Sequence, residues 1–202
     1  AECAEPILDT ARGILEDKAA PYASKSYSIF LQGSYGNDTN IYADSDVDIV
    51  ICTSSIYYDD TSALKPQELE AYKAKWSKGS FAYADFRKQV TSHLIAKLGT
   101  SVKPGNKAIF VQGNGTRRDA DVLPAAEYRR YFSYGPQNTT DYAEGIVFWT
   151  DDGTQIVNYP KRHSANCTSK HQATDGWFKP SVRILKNMRN SMVDNGYLDE
   201  GT

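Results

Sequence analysis

Residues Leu31 to Ile51, LQGSYGNDTNIYADSDVDIVI, join a Gly-Ser turn to a pair of aspartates, and the rest of the chain is read outward from them. Upstream, Ser26 to Gln32 (SYSIFLQ) is rich in β-branched and aromatic residues and stops at Gly33-Ser34. That pattern predicts a strand running into a turn that opens a short helix. A glycine there lets the backbone come close to a ligand, and the N–H groups at a helix start favour an anion, as does a serine hydroxyl beside them. Gly33 and Ser34 are therefore candidate phosphate-binding residues.

Downstream, Asp46-Val47-Asp48 runs directly into Ile49, Val50 and Ile51, which places the two acids at the opening of a buried strand. Residues two apart on a strand share a face. Asp46 and Asp48 then bring two like charges together, which is costly unless a cation sits between them. Mg²⁺ suits such a seat, because it binds a few carboxylates together with phosphate oxygens, and two ions about 3.5–4 Å apart serve both ends of a displacement at phosphorus. Asp44 has the same parity. Since the apolar run begins directly after Asp48, Asp44 is read as an exposed loop residue that adds to the negative field.

The order of apolar strand, Gly-Ser, spacer and Asp-x-Asp within an apolar strand resembles the DNA polymerase β-like nucleotidyltransferase superfamily. That resemblance implies a third carboxylate on a later neighbouring strand, and Asp119-Ala-Asp121-Val-Leu-Pro124-Ala supplies it. Aspartate, two apolar residues and proline are similar to the oligoadenylate synthetase-like branch and its bacterial cyclic-oligonucleotide synthases, the CD-NTases. Asp121 matches the motif, and Asp119, of equal parity, competes with it. The resemblance implies an α+β fold, a mixed β-sheet palm flanked by helices. It also implies two Mg²⁺ (or Mn²⁺) ions held by Asp46, Asp48 and Asp121, with the same three residues catalytic. The substrates it implies are ATP or other NTPs, and the activity is transfer of a nucleoside monophosphate to a hydroxyl with release of pyrophosphate. Second-messenger synthesis in bacterial anti-phage signalling is the subclass expected. Transfer to a drug, a protein or a tRNA end, or a non-catalytic nucleotide-binding module, stays open as an alternative.

The chain has 202 residues, 40% hydrophobic and 24% charged, with a net charge of −2. This is ordinary globular composition, and the near-neutral balance argues against a nucleic-acid coat or a membrane-surface protein. Cys3, Cys52 and Cys167 are odd in number and widely spaced, which suggests neither a disulfide framework nor a zinc site and fits a reducing cytoplasm. No apolar run is long enough to cross a bilayer, and the first residues lack the pattern of a signal peptide.

Around the central stretch, Pro6 to about Ala20 has helical apolar spacing and is expected to cover one sheet face. Pro66 starts a helix, and Phe81 to Leu98 forms a longer one capped by Gly99, with His93 as a structural residue within it. Lys107 to Gln112 and the strand of Asp121 make an antiparallel hairpin that would carry Asp121 to the aspartate pair. Tyr142 to Tyr159 reads as another hairpin, turning at Asp152-Gly153, and is followed by a long polar loop over 159–176 that holds His163 and His171. Trp177 to Asp194 is a helix with an apolar stripe of Val182, Leu185, Met188 and Met192. Its Lys186, by the resemblance, contacts the triphosphate, and Lys179 is the second basic candidate. The expected division is a catalytic core over 1–175 and, over 176–202, a spine helix with the start of a helical lobe of which most lies outside this sequence.

Overall fold

The computed structural model describes residues 4–41, 46–77, 79, 81–114, 118–136 and 139–199. In chain order the elements are α1 (Ala4–Leu15), β1 (Tyr27–Leu31), α2 (Gly33–Gly36), β2 (Val47–Asp60), α3 (Pro66–Lys75) and α4 (Tyr83–Leu98). There follow β3 (Val102–Pro104), β4 (Ile109–Val111), β5 (Ala120–Ser133), β6 (Asp141–Trp149), β7 (Gln155–Asn158), α5 (Pro160–Ala173) and α6 (Phe178–Asp194). The strands form one mixed sheet in the order β1-β2-β5-β4-β3, and β6 and β7 extend it from the far half of β5. An α+β sheet flanked by helices is thus what the chain builds. Asp44 lies outside the described residues.

The strand pairing agrees with the expected hairpin and adds the direction of β5 relative to β2. β4 and β5 are antiparallel, as the hairpin required, but β5 lies parallel to β2. Parallel pairing in register sets Val47 beside Ala120, Asp48 beside Asp121 and Ile49 beside Val122. Alternation along both strands then sorts the sheet into two faces. Val47, Ile49, Ile51, Ala120 and Val122 form the back, packed under Phe86, Val90 and Leu94 of α4 and Leu15 of α1. Val50, Cys52, Leu123 and Ala125 form the front with Ile146 and Phe148 of β6. Asp48 and Asp121 belong to the front by parity, at the end where β2 and β5 begin.

Pro124 would be out of place in a strand hydrogen-bonded on both sides. β4 pairs with β5 only as far as Val122, and β6 joins it only from Ala126. Proline occupies the gap where one neighbour has ended and the other has not begun.

α1 ends earlier than its apolar spacing predicts, and buried polar groups show why. The Tyr22 hydroxyl, fully buried, donates to the Leu15 carbonyl at 2.9 Å, and His93 Nε2 lies 2.9 Å from the Ile14 carbonyl. These side chains take up carbonyls that a helix end leaves without partners. His93 is therefore a structural residue, edge-on to the Tyr22 ring at 5.8 Å. The β6–β7 turn is as expected, with Gly153 at φ +84° and the Thr150 N–H donating to the Thr154 carbonyl.

The polar loop expected over 159–176 is instead largely the helix α5. Pro160 takes a first-turn position that tolerates proline, and it is the one residue of α5 that is buried, so no apolar period marks the helix in the sequence. Tyr22→Phe should cost about 1–2 kcal/mol of stability in urea denaturation, the scale of one buried hydrogen bond. An unchanged midpoint would show that the Leu15 carbonyl needs no such partner.

Candidate active site

The site begins at the junction of β1 and α2. Gly33 has φ +61°, a conformation that glycine adopts without strain, and a Cβ built on it would lie 2.1 Å from Asp48 Oδ2. The backbone of the Gly-Ser turn is therefore packed against the carboxylate of the second aspartate. The Gln32 N–H donates to the Asp48 carbonyl at 3.0 Å, which ties the turn to the first residues of β2. Within α2, the Gly36 N–H returns to the Gln32 carbonyl and the Asn37 N–H to the Gly33 carbonyl, so the N–H groups of Gly33 and Ser34 precede the first helical donor. Ser34 stands half-buried at this start, and its carbonyl accepts from the Thr39 N–H at 2.9 Å.

Asp48 and Asp121 are both half-buried neighbours in register. Burial raises the pKa of Asp48 above the ordinary carboxylate value. The negative charges of Asp121 and Asp46 raise it further, and Lys186 pulls it down. Asp121 is raised too, by burial and then by Asp46. Asp46, just before β2, is exposed. The three acids thus share one negative field. Among the described residues, no group of three or more His, Cys, Asp or Glu side chains is drawn together closely enough to cage an ion unaided. Asp119 is engaged elsewhere: its Oδ1 accepts the Gly113 N–H at 2.6 Å and its carbonyl accepts the Val47 N–H at 3.1 Å. Its side chain thus ties Gly113 to the start of β5, and Asp121 is the acid that lies beside Asp48.

Opposite the acids, α6 reverses the usual sense of an amphipathic helix. Ile184, Leu185, Met188 and Met192 are all exposed, and no α6 residue is fully buried. Lys179, Val182, Arg183 and Lys186 are half-buried and recur at the spacing of one helical face. The stripe expected of Val182, Leu185, Met188 and Met192 is therefore split, with Val182 on the basic face turned toward the body of the protein. Lys179 Nζ lies 3.6 Å from Asp38 Oδ2, and Arg183 Nη1 donates to the Asp38 carbonyl at 2.9 Å. Asp38 itself has φ +56°, rare for a residue with a side chain. Two cations of α6 thus grip the turn that follows α2, while Lys186 is close enough to lower the Asp48 pKa.

Sequence reasoning missed Arg183 and Asp38. Their pairing joins residues far apart in the chain, and the one available signal was the spacing of basic residues in α6. It also missed a cavity of about 190 Å³ beside Gly33, lined by Gln32, Asn37, Asn158 and His163 among others. Its far wall is α5, which had been expected to be a loop.

Gly33→Ala should lose about 2 kcal/mol or more, from the positive φ together with the contact on Asp48, as read by chemical denaturation. A neutral result would mean that the turn relaxes freely. For Asp48→Asn the sign follows from the raised pKa. A carboxylate that binds its proton more tightly in the folded state destabilises the fold as pH rises above the unfolded value, so removing its charge stabilises at neutral pH. The variant should melt above the parent at pH 7, and the gain should shrink as pH falls toward 4. A variant that melts below the parent at pH 7 would make the Asp48 charge a structural one.

Comparison with known proteins agrees with this geometry. Residues 165–202 match the family model described as the cGAS/DncV-like nucleotidyltransferase C-terminal helical domain. The chain is 36% identical over 168 residues to the cyclic nucleotide synthase CdnE01 of Staphylococcus haemolyticus, covering 82% of this chain and 55% of that protein. It is 35% identical over 169 residues to the cyclic dipurine nucleotide synthase of Elizabethkingia meningoseptica, covering 84% and 56%. The chain thus spans a little over half the length of the curated relatives it matches. The structure of the Rhodothermus marinus CdnE c-UMP-AMP synthase with Apcpp and Upnpp superposes with a TM-score of 0.80 at 30% identity, over 98% of this chain and 65% of that one. Among the described residues, no helix is long and apolar enough to cross a membrane. In sheet topology, in the Gly-Ser and Asp-x-Asp motifs and in similarity over most of its length, the chain belongs to the CD-NTase family of nucleotidyltransferases.

Proposed function

We propose that the protein is a metal-dependent nucleotidyltransferase that moves a nucleoside monophosphate from an NTP to a hydroxyl and releases pyrophosphate, in the synthesis of cyclic oligonucleotide messengers for bacterial anti-phage signalling. The observation that carries this reading is the registered pair Asp48 and Asp121, with the Gly33 backbone on one side and the basic face of α6 opposite. The names of the relatives, all cyclic nucleotide synthases, support the subclass. The division into a core over 1–175 and a helical unit over 176–202 belongs to the same reading, and the helical-domain match begins within α5.

The donor set fits a hard divalent ion: carboxylates whose charges oppose one another, with room left for phosphate oxygens. Asp46 and Asp48 would hold two Mg²⁺ or Mn²⁺ ions, and Asp121 would complete the site on the acceptor side. Bound there, the ions supply charge neutralisation at the reacting phosphate and make the attacking hydroxyl more acidic. The residues do the rest. N–H groups of Gly33 and Ser34, with the Ser34 hydroxyl, receive the β- and γ-phosphates. Lys186 neutralises the triphosphate from the opposite wall. Lys179, already paired with Asp38, adds positive field and steadies the turn of the cradle. Asp121 takes the proton of the acceptor hydroxyl as the new O–P bond forms and the bond to the pyrophosphate oxygen breaks. Catalysis then rests on positioning and charge complementarity. A reducing cytoplasm suits the buried Cys52 thiol, whose pKa burial pushes up to about 12.

Incubation of the protein with each labelled NTP and Mg²⁺ or Mn²⁺, followed by product analysis, tests the activity. Pyrophosphate and cyclic oligonucleotides are expected, and folded protein that releases no pyrophosphate from any NTP sinks the reading. Lys186→Ala should weaken binding of a non-hydrolysable NTP by about 1.5–3 kcal/mol, roughly ten- to hundredfold. Lys179→Ala should cost less affinity and more stability, because its partner is Asp38. The reverse ranking would move the triphosphate contact from Lys186 to Lys179.

A further inference from the structure

We propose that the Gln32 side chain accepts a hydrogen bond from a ribose hydroxyl of the bound nucleotide, so that this protein selects ribo- over deoxyribonucleotides through it. The proposal rests on the nucleotidyltransferase reading above and gives the sugar a place in that site.

Gln32 Oε1 is buried and, among the described residues, has no hydrogen-bond partner. Such an oxygen costs about 1–3 kcal/mol when left unpaired, so a ligand that donates to it recovers that cost. Its position says which ligand group. Gln32 follows the pairing of Leu31 with Ile49, and its N–H donates to the Asp48 carbonyl, so it is the cross-strand neighbour of Asp48 on the front face. Side chains so paired stand about 5 Å apart at Cβ. A group held by Gln32 is therefore next to whatever phosphate Asp48 serves.

The cavity that Gln32 lines has a different chemistry from the phosphate cradle. Its other polar side chains are Asn37, Asn158 and His163, and among the described residues no Lys, Arg, Asp or Glu lines it. A phosphate demands cations or clustered N–H groups, whereas neutral amides and an imidazole suit hydroxyls and heterocycles. At about 190 Å³ the cavity is smaller than the roughly 300–1,000 Å³ of a whole ligand pocket, so it takes a part of a nucleotide. Asn158 Oδ1 already accepts the Tyr159 N–H at 2.9 Å, which leaves Gln32 Oε1 as the orphaned acceptor. In a nucleotide the sugar is the neutral group next to the reacting phosphate, and its hydroxyls are donors.

The test compares binding of α,β-methylene ATP and its 2′-deoxy and 3′-deoxy forms, with Mg²⁺, to the full chain and to Gln32→Met. The parent should bind one deoxy form about three- to tenfold more weakly than the ribo form, the size of one neutral hydrogen bond. In Gln32→Met the ribo form should fall to the level of that deoxy form, and the deoxy affinity should not change. A merely structural Gln32 would lower all three affinities together, which overturns the proposal. So does a parent without sugar preference, or a variant that keeps it. If Gln32→Met does not fold, Gln32→Glu retains the acceptor and should keep the preference while weakening all three ligands beside Asp48, and loss of the preference there overturns the proposal. A parent that binds none of the three analogues refutes the nucleotide reading itself.

Discussion

Two carboxylates side by side on parallel strands, Asp48 on β2 and Asp121 on β5, are the constraint to which the rest of the molecule answers. Like charges at one strand spacing repel, and half-burial strengthens the effect by removing water. A sheet tolerates such a pair only if its strands are held by other means. The back face supplies them: Ile49, Ile51 and Val122 alternate with the acids and are sealed under Phe86, Val90 and Leu94. Each buried aliphatic side chain contributes about 1.5–3 kcal/mol, enough in sum to hold two strands in register against a repulsion they would otherwise avoid. The end of the sheet thus holds two acids whose mutual repulsion is offset by the packing of the back face.

The same field explains the orientation of α6. An amphipathic helix ordinarily turns its apolar stripe to the body of the protein, yet Ile184, Leu185, Met188 and Met192 face outward and Lys179, Arg183 and Lys186 inward. Half-burying three cations has a desolvation cost, which an apolar surface on the facing side would not offset. Here the facing side is acidic. Asp38 meets two of the three cations, with its carboxylate on Lys179 and its carbonyl toward Arg183. Holding Asp38 at positive φ costs energy of its own, and the two cations locate the source of compensation. The turn after α2 and the helix across from it are therefore tied together through Asp38.

Several of these features were legible in the sequence because they are local. The place of Asp48 at the opening of a strand, the Gly-Ser turn and the aliphatic run after Asp48 each follow from covalent geometry and side-chain period, whereas Asp46, expected in the same strand, lies just before it. Asp121 was separated from Asp119 only by the resemblance, and the structure adds the reason, since the Asp119 side chain is tied to Gly113. What the sequence did not show depends on partners distant in the chain. Strand direction between β2 and β5 leaves no mark on either strand. α5 was invisible because its one buried residue is Pro160, and a helix that buries no stripe has no period to detect. Gln32 reads as the last residue of a strand, and the cavity it lines is completed by Pro160 and His163 of α5, which packs against α2.

The two ends of β5 show the same chemistry resolved in opposite ways. Beyond Pro124 the strand exchanges β4 for β6, and the charges that follow find partners inside the protein. Arg129 lies 2.6 Å from Glu127 and stacks over the Tyr57 and Tyr142 rings. That end is complete in itself, with Tyr131 buried among Tyr72, Tyr134 and Tyr142. Before Pro124 stands Asp121, whose charge is opposed by burial and then by Asp46. The proline that ends one ladder before the other begins marks the change between the two ends.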